Sequence, residues 1–404
     1  MLVGYLKCYS TNKMAQKLRI LHCVLDEKFI DPMIELTQQL WTGCNHHYVC
    51  FRAKDLDFNF IKKTDRVDRI DANVFKSLIK NANYHMVILH CFYSVPYKLI
   101  AKIPQNIKVI WFAWGYDIYK SCYCHSPLIE KPLYHSRSEK FKKGVADKTL
   151  RTLMAERYYK CFCQKLVERA FNRVDFFSGV IPEEYDLIKE NKKNSFFKAK
   201  QLVFNYNNPL YPYKLENIDN PTVSGFDIQI GNSADNTNNH IDMFYLLSKL
   251  HLNDRKIIVP LSYAGTERYK KAVLSEGEKL LGDSFTPLTD YMPLQKYMQI
   301  VSSVRYSIFY LERQQAMGNI WLSLWRGCLV FLSETNPVYL HLKKRGYIVF
   351  SIQKDLALIE EKARLTREEI RRNRTLLIEE HSYDAERIKA EAILDELRTA
   401  LCFN

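Results

Sequence analysis

An α/β fold of two Rossmann-like domains facing a cleft, followed by a C-terminal helical segment, is predicted by three features of the 404-residue sequence. Short β-rich runs alternate with helix-length amphipathic stretches. The alternation occurs twice. A stretch without apolar periodicity separates the two series.

The first series contains ILHCVL (20–25), HMVILHC (85–91), IKVIWFAW (107–114), VDFFSGV (174–180) and KQLVFNY (200–206), with a helical pattern over 149–172. The separating stretch, 205–225, carries three prolines and five asparagines, as an interdomain connection does. The second series runs through FDIQIG (226–231), KIIVPLSY (256–263), RYSIFYL (305–311), CLVFLSE (328–334) and YIVF (347–350). Residues 354–404 hold 10 basic and 12 acidic residues, and Ala390, Ile393, Leu394, Leu397 and Leu401 make one apolar helical stripe. The expected division is an N-terminal extension over 1–18, domains over 19–210 and 211–353, and a charged helical segment over 354–404. Met14 precedes the first convincing strand, so residues 1–13 are expected to be dispensable.

The formal charge of +14 implies an anionic partner: nucleic acid, a phosphorylated small molecule or an anionic membrane surface. The excess is concentrated at 120–200, with 18 basic against 10 acidic residues. Tyr119, Tyr123, Tyr134, Phe141, Tyr158, Tyr159 and Phe162 are interleaved there, which suits a membrane interface and equally an ordinary solvated helix face with core aromatics. No apolar run is long enough to cross a bilayer, and the lysine-interrupted N-terminus has no signal-peptide core. Eleven scattered cysteines without a framework spacing fit a reducing cytosol, and the pairs Cys122/Cys124 and Cys161/Cys163 lack the Cys-x-x-Cys spacing of zinc knuckles. No metal site is expected.

Two polar segments stand at strand-to-helix junctions of the second series. In Gly231-Asn232-Ser233-Ala234-Asp235-Asn236-Thr237-Asn238-Asn239-His240, small residues and exposed N–H groups can receive a phosphate or sugar. A polar turn with Asn238 or Asn239 as helix cap is the structural alternative. The absence of G-x-G-x-x-G disfavours a dinucleotide cofactor. In Glu312-Arg313-Gln314-Gln315-Ala316-Met317-Gly318-Asn319, Arg313 can neutralise a diphosphate while Gly318 and Asn319 open a helix toward it. The alternative pairs Arg313 with Glu312 or another carboxylate. Glu334 ends the next strand and can accept from ribose hydroxyls, whereas Asn336-Pro337 also reads as a helix start. In the first series Gly115 ends a strand and Asp117 follows it, where a cleft-facing carboxylate would take a proton from an acceptor hydroxyl. An Asx-turn or cap aspartate is the competing reading. His22, at a strand end, is the second catalytic candidate, with His90 and His240 behind it.

WFAWGYDIY (111–119), IQIGNSADNTNNHID (228–242), IIVPLSY (257–263), RQQAMGNI (313–320) and TNP (335–337), in this order and spacing, resemble the bacterial TDP-N-acetylfucosamine:lipid II N-acetylfucosaminyltransferases. These are the 4-alpha-L-fucosyltransferases of glycosyltransferase family 56. The resemblance is good over 226–350 and thinner before it. It implies a GT-B architecture with the donor nucleotide in the second domain, the acceptor in the first, and no required metal or cofactor. Gly231, Asn232, Ser233, Arg313, Gln314, Gln315, Gly318, Asn319, Glu334 and Asn336 become the expected donor-binding residues. Ala316 departs from the family, which favours glycine after Arg-Gln-Gln, and Thr335 stands where a charged residue is common.

The expected activity is transfer of a hexose, such as 4-acetamido-4,6-dideoxygalactose, from a TDP- or UDP-linked sugar to a polyprenyl-diphosphate-linked glycan. The expected setting is surface polysaccharide assembly, with the protein peripheral to the cytoplasmic face of a bacterial inner membrane and no nucleic acid as partner. A basic nucleic-acid-binding protein and a noncatalytic nucleotide-sugar-binding protein are the alternatives; a salt-dependent gel shift would favour the first and binding without turnover the second.

Overall fold

The structure, a computed structural model, describes residues 17–119, 127–141, 163–204, 223–252 and 255–401. Seven parallel strands form the first sheet: β1 (Leu18–Val24), β2 (Cys44–Phe51), β3 (Val67–Ile70), β4 (Met86–His90), β5 (Lys108–Phe112), β6 (Phe176–Ser178) and β7 (Lys200–Gln201), in the order β3-β2-β1-β4-β5-β6-β7. Six more form the second: β8 (Asp227–Ile230), β9 (Ile257–Pro260), β10 (Phe285–Leu288), β11 (Val304–Phe309), β12 (Leu329–Leu332) and β13 (Phe350–Ser351), ordered β10-β9-β8-β11-β12-β13. The expected domain boundary at 210/211 lies among residues 205–222, outside those described. Leu18, placed in the expected extension, is a buried residue of β1.

Both sheets are covered on both faces, which is why Met86–Leu89 of β4 and all of β12 read as continuous apolar runs rather than alternating ones. One face of the first sheet packs against Phe75, Phe92, Ile100, Val167 and Phe171. The other receives the helix Ile30–Leu40, through Ile30, Met33, Ile34 and Leu40, and the terminal helix Tyr383–Ala400, through Ala390, Ile393, Leu394 and Leu397. That terminal stripe is the one read from the sequence. The chain therefore completes the second sheet and returns to seal the first, where Trp41 Nε1 donates to Ala390 O at 3.1 Å. The preceding helix, Arg367–His381, begins on a Thr366/Glu369 capping box and packs on the second half through Ile370 and Leu377.

Three strands lie outside the sequence expectations. β2 carries Asn45, His46 and His47, β3 has four residues, and β10 contains Pro287. Proline is tolerated there because β10 is an edge strand that pairs only with β9.

No helix among the described residues is long and apolar enough to cross a membrane. Within the basic segment, Tyr119 is buried in the first core, Tyr134 packs against it, and Phe141 packs against the second core. Tyr123, Tyr158, Tyr159 and Phe162 lie outside the described residues, as do Cys122, Cys124 and Cys161.

Candidate active site between the two sheets

Parallel strands deliver their following loops to one sheet edge. The loops after β8, β11 and β12 leave the second sheet there, and those after β5 and β6 leave the first.

Gly231 turns at φ +66°, a conformation costly for residues with a Cβ; a Cβ there would also lie 2.7 Å from Asn238 Oδ1. That oxygen accepts from Asn232 N at 3.2 Å, and Asn238 Nδ2 donates back to Ser233 O at 3.1 Å. Asn232 Nδ2 donates to Tyr263 OH at 2.9 Å. Gln315 ties this loop to the one after β11: its Nε2 donates to Asn232 Oδ1 at 3.3 Å and its Oε1 accepts from Thr237 Oγ1 at 2.6 Å. The two polar segments singled out in the sequence are thus one interlocked unit. Neither Asn238 nor Asn239 caps the helix His240–Leu247 with its side chain; Asn239 sits at the cap position at φ +50° and its amide reaches Leu133, Thr237 and Tyr310 carbonyls instead.

Arg313 is 7% exposed, and its Nη1 donates to Gln314 O at 3.0 Å. Its Nε has no partner among the described residues, and no carboxylate there lies within ion-pair distance of it. An uncompensated buried cation is costly and marks a place for an anion. Gln314 Oε1 is likewise buried and unpartnered. Next to them, the helix Met317–Trp325 starts without a side-chain cap, and a Cβ on Gly318 would meet nothing within 4 Å. Asn319 Oδ1 accepts from Tyr297 OH at 3.2 Å. Ala316 holds the turn into this helix at φ +62°, the physical reason that glycine suits this position.

Glu312 does not pair with Arg313. Its Oε1 accepts from His135 Nε2 at 2.9 Å and Ser333 Oγ at 2.7 Å, while Oε2 accepts from Thr335 Oγ1 and from Lys131 Nζ at 3.2 Å. Burial opposes the charge, but the donors His135, Thr335 and Ser333, with Lys131, hold the acid down at about 2. Lys131 and His135 come from the first half, so this carboxylate fastens the halves together. Beside it, Asn239 Oδ1 accepts from His135 N at 2.9 Å, and Asp242 accepts from Arg137 N and Ser138 N at 3.0 and 2.8 Å. Sequence reading passed over Lys131 and His135, which stand in a segment without periodicity.

Between the halves a cavity of about 700 Å³ is lined by Tyr119, Lys131, Leu187, Lys193, Glu334 and Pro337, among others. Glu334 lines this cavity, engaged at 2.7 Å by Lys354. Asn336 is not free to bind a ligand. Its Oδ1 caps the helix Pro337–Arg345 through Val338 N, and its Nδ2 donates to Leu311 O and Arg313 O.

Both expected catalytic residues are placed differently from the sequence reading. The Asp117 carboxylate, expected to face the cleft, is fully buried and accepts from Phe92 N, Trp111 Nε1 and Trp114 N at 2.9, 2.9 and 2.8 Å. Burial pushes this acid up against the pull of those donors. It holds the loops after β4 and β5 in place, through donors that precede it in the chain rather than through the following N–H of an Asx turn. His22 is equally buried and lies within β1, one link in a row of imidazoles. The Trp41 carbonyl can only accept, so a neutral His46 donates to it from Nε2 and accepts from His22 Nε2 at 3.0 Å; His22 Nδ1 then accepts from His90 Nε2 at 3.0 Å. His240 is buried at the start of its helix, and burial pushes it down to about 3.

Residues 186–378 match the 4-alpha-L-fucosyltransferase glycosyl transferase group 56 family. Among solved structures, a glycosyltransferase from Rickettsia africae ESF-5 superimposes with a TM-score of 0.58 at 14% identity, covering 95% of this chain and 99% of that one. Sucrose-phosphate synthase from Thermosynechococcus elongatus gives 0.58 at 11% identity over 95% and 100% of the two chains. Anabaena HepE in complex with UDP-glucose gives 0.59 at 11% identity over 94% and 100%. At these identities the likeness is one of fold, which is GT-B. The family match adds a likeness to fucosyltransferases over a stretch that runs from the end of the first half through the second sheet.

Proposed function

With residues 186–378 those of a glycosyltransferase family and the whole on a GT-B frame, we propose that the chain transfers a hexose from a nucleoside-diphosphate sugar bound at the interlocked loops 231–240 and 312–319. Arg313 carries this reading: a buried guanidinium without a carboxylate partner among the described residues, beside an uncapped helix start with open space at Gly318. Charge and helix dipole then act on the same leaving diphosphate. HepE, whose structure contains UDP-glucose, supports a uridine diphosphate as carrier, and the family resemblance a thymidine diphosphate. The interlocking contacts of Gln315 and Asn232 fix the loops before the donor arrives, so the site is preorganised.

The finer reading takes an N-acetylated deoxyhexose such as 4-acetamido-4,6-dideoxygalactose as the donor sugar and a polyprenyl-diphosphate-linked glycan as acceptor, in bacterial surface polysaccharide synthesis similar to that of enterobacterial common antigen. Family resemblance supports it. The surplus of positive charge at 120–200 fits peripheral attachment to an anionic inner-membrane face, reversible by salt.

A nucleotide-sugar panel read by thermal shift tests the proposal, since a ligand at a hundred times its dissociation constant stabilises by about 2.7 kcal/mol. Arg313→Ala should weaken UDP or TDP binding by about 1.5–3 kcal/mol, tenfold or more. Undiminished affinity in that variant would remove Arg313 from the site.

A further inference from the structure

Four buried polar atoms without a hydrogen-bond partner of standard geometry among the described residues gather where the halves touch: the Tyr119 hydroxyl, Glu184 Oε1, Arg313 Nε and Gln314 Oε1. Tyr119 and Glu184 belong to the first half, Arg313 and Gln314 to the second. The Tyr119 hydroxyl lies within electrostatic reach of the Glu184 carboxyl, the Arg313 guanidinium and the Gln314 backbone. Two glycines permit the approach. A Cβ on Gly115, at φ +82°, would lie 2.9 Å from the Gln314 carbonyl, and one on Gly179 would lie 2.8 Å from Glu184 Oε2. Glu184 Oε2 accepts from Val180 N at 2.9 Å and Ile181 N at 3.4 Å, which anchors the carboxyl and leaves Oε1 without a partner. Buried groups left unpaired in this way need an explanation, and here they meet beside the proposed diphosphate site.

We infer that Glu184 is a positioning residue, which acts through Tyr119 on Gln314 and Arg313 and so sets the guanidinium for the donor diphosphate from the opposite half of the molecule. The inference rests on Arg313 being the partner of the diphosphate. Burial pushes the Glu184 acid up to about 8, against the pull of the Ile181 and Val180 N–H groups and Tyr119 and with the help of Asp117. At pH 7 it is therefore a neutral acid that can donate a hydrogen bond toward Tyr119, and it leaves the charge of Arg313 uncompensated. Once ionised, it would draw the Tyr119 hydroxyl to itself as a donor and away from Gln314 and Arg313. The titratable groups that face it are Asp117 and Tyr119 from the loop after β5; Tyr119 in turn faces Arg313 from the loop after β11. Glu183, its neighbour on the helix Glu183–Glu190, is turned to His341 and Lys344 at 2.7 and 3.6 Å.

Calorimetric titration of UDP into the full-length protein at pH 7 and pH 9 tests this. Wild-type affinity should fall about tenfold between the two, the scale of one pKa unit of coupling. Glu184→Gln, neutral at both, should show no such fall. Glu184→Ala, which lacks the contact to Tyr119, should bind UDP more weakly than Glu184→Gln at pH 7. Freed of a buried ionising group, Glu184→Gln should also unfold at a higher temperature than wild type at pH 9. A wild-type fall persisting in Glu184→Gln, or equal affinities of Glu184→Ala and Glu184→Gln, overturns the inference. Arg313→Ala run alongside separates the two readings: UDP affinity equal to wild type in that variant removes Arg313 from the site, whereas weakened binding with an unaltered pH profile in Glu184→Gln defeats only the role of Glu184.

Discussion

Ala316 occupies a left-handed turn at φ +62° immediately before the helix that faces the proposed diphosphate. For an L-residue with a Cβ this conformation costs about 1–2 kcal/mol, part of which glycine returns as unfolded-chain entropy. Ala316→Gly should therefore stabilise the protein by roughly 0.5–1 kcal/mol in denaturant unfolding; a loss of stability would mean that the methyl packs more usefully than the backbone is strained. Asp117 teaches a different lesson at the same scale. Its position after a strand-ending glycine is that of a catalytic base and also that of a loop anchor, and the donors around it separate the two. Sequence spacing sets where a carboxylate begins, not which way it turns.

Among the elements, the terminal helix Tyr383–Ala400 was legible because its stripe has the helical period and the rest of it is charged. Its destination was not legible, since an apolar stripe does not say which surface it covers. It crosses back to β1 and Trp41, and Leu397 is wholly buried there. Leu397→Ala should cost about 2–5 kcal/mol through the lost burial and the cavity left behind. Denaturant unfolding checks this, and a cost below about 0.5 kcal/mol, the scale of surface substitutions, would show that the helix adds little to the first sheet. The strand β2 escaped sequence reading for a related reason: His46 breaks the apolar pattern, yet it is at home because His22 and Trp41 supply its partners.

At the scale of the whole molecule, pH should act on the protein through opposing sets of groups. Burial depresses His22, His90 and His240, the last two to about 3, so the stability they contribute is complete above the unfolded value of about 6.5 and is lost as pH falls. Glu183 and Glu312, both at about 2 and both binding the halves together, lose their contribution as pH falls below about 4.5. Glu184 has the opposite sign. Its folded-state acid titrates at about 8, so stability is lost as pH rises from about 4.5 toward that value. The sum places maximal stability near pH 6.5. Thermal unfolding between pH 4 and pH 9 checks this, and a maximum above pH 8 would mean that Glu184 ionises freely in the folded protein.

By itself the sequence determined the two parallel α/β series, the helical tail and the polar segments at 231–240 and 312–319, because apolar periodicity and strand-to-helix junctions are local properties of a chain. The resemblance carried by the same segments extended that reading to a sugar transferase. Tertiary structure alone decided that Gln315 locks the two polar loops together, that Glu312 belongs to Lys131 and His135 rather than to Arg313, and that Asp117 and His22 are enclosed. It also brought Tyr119 to both Glu184 and Arg313. These are pairings between residues up to about two hundred positions apart, and the free energy that orients a side chain among them comes from burial and from partners that only the folded chain brings within reach.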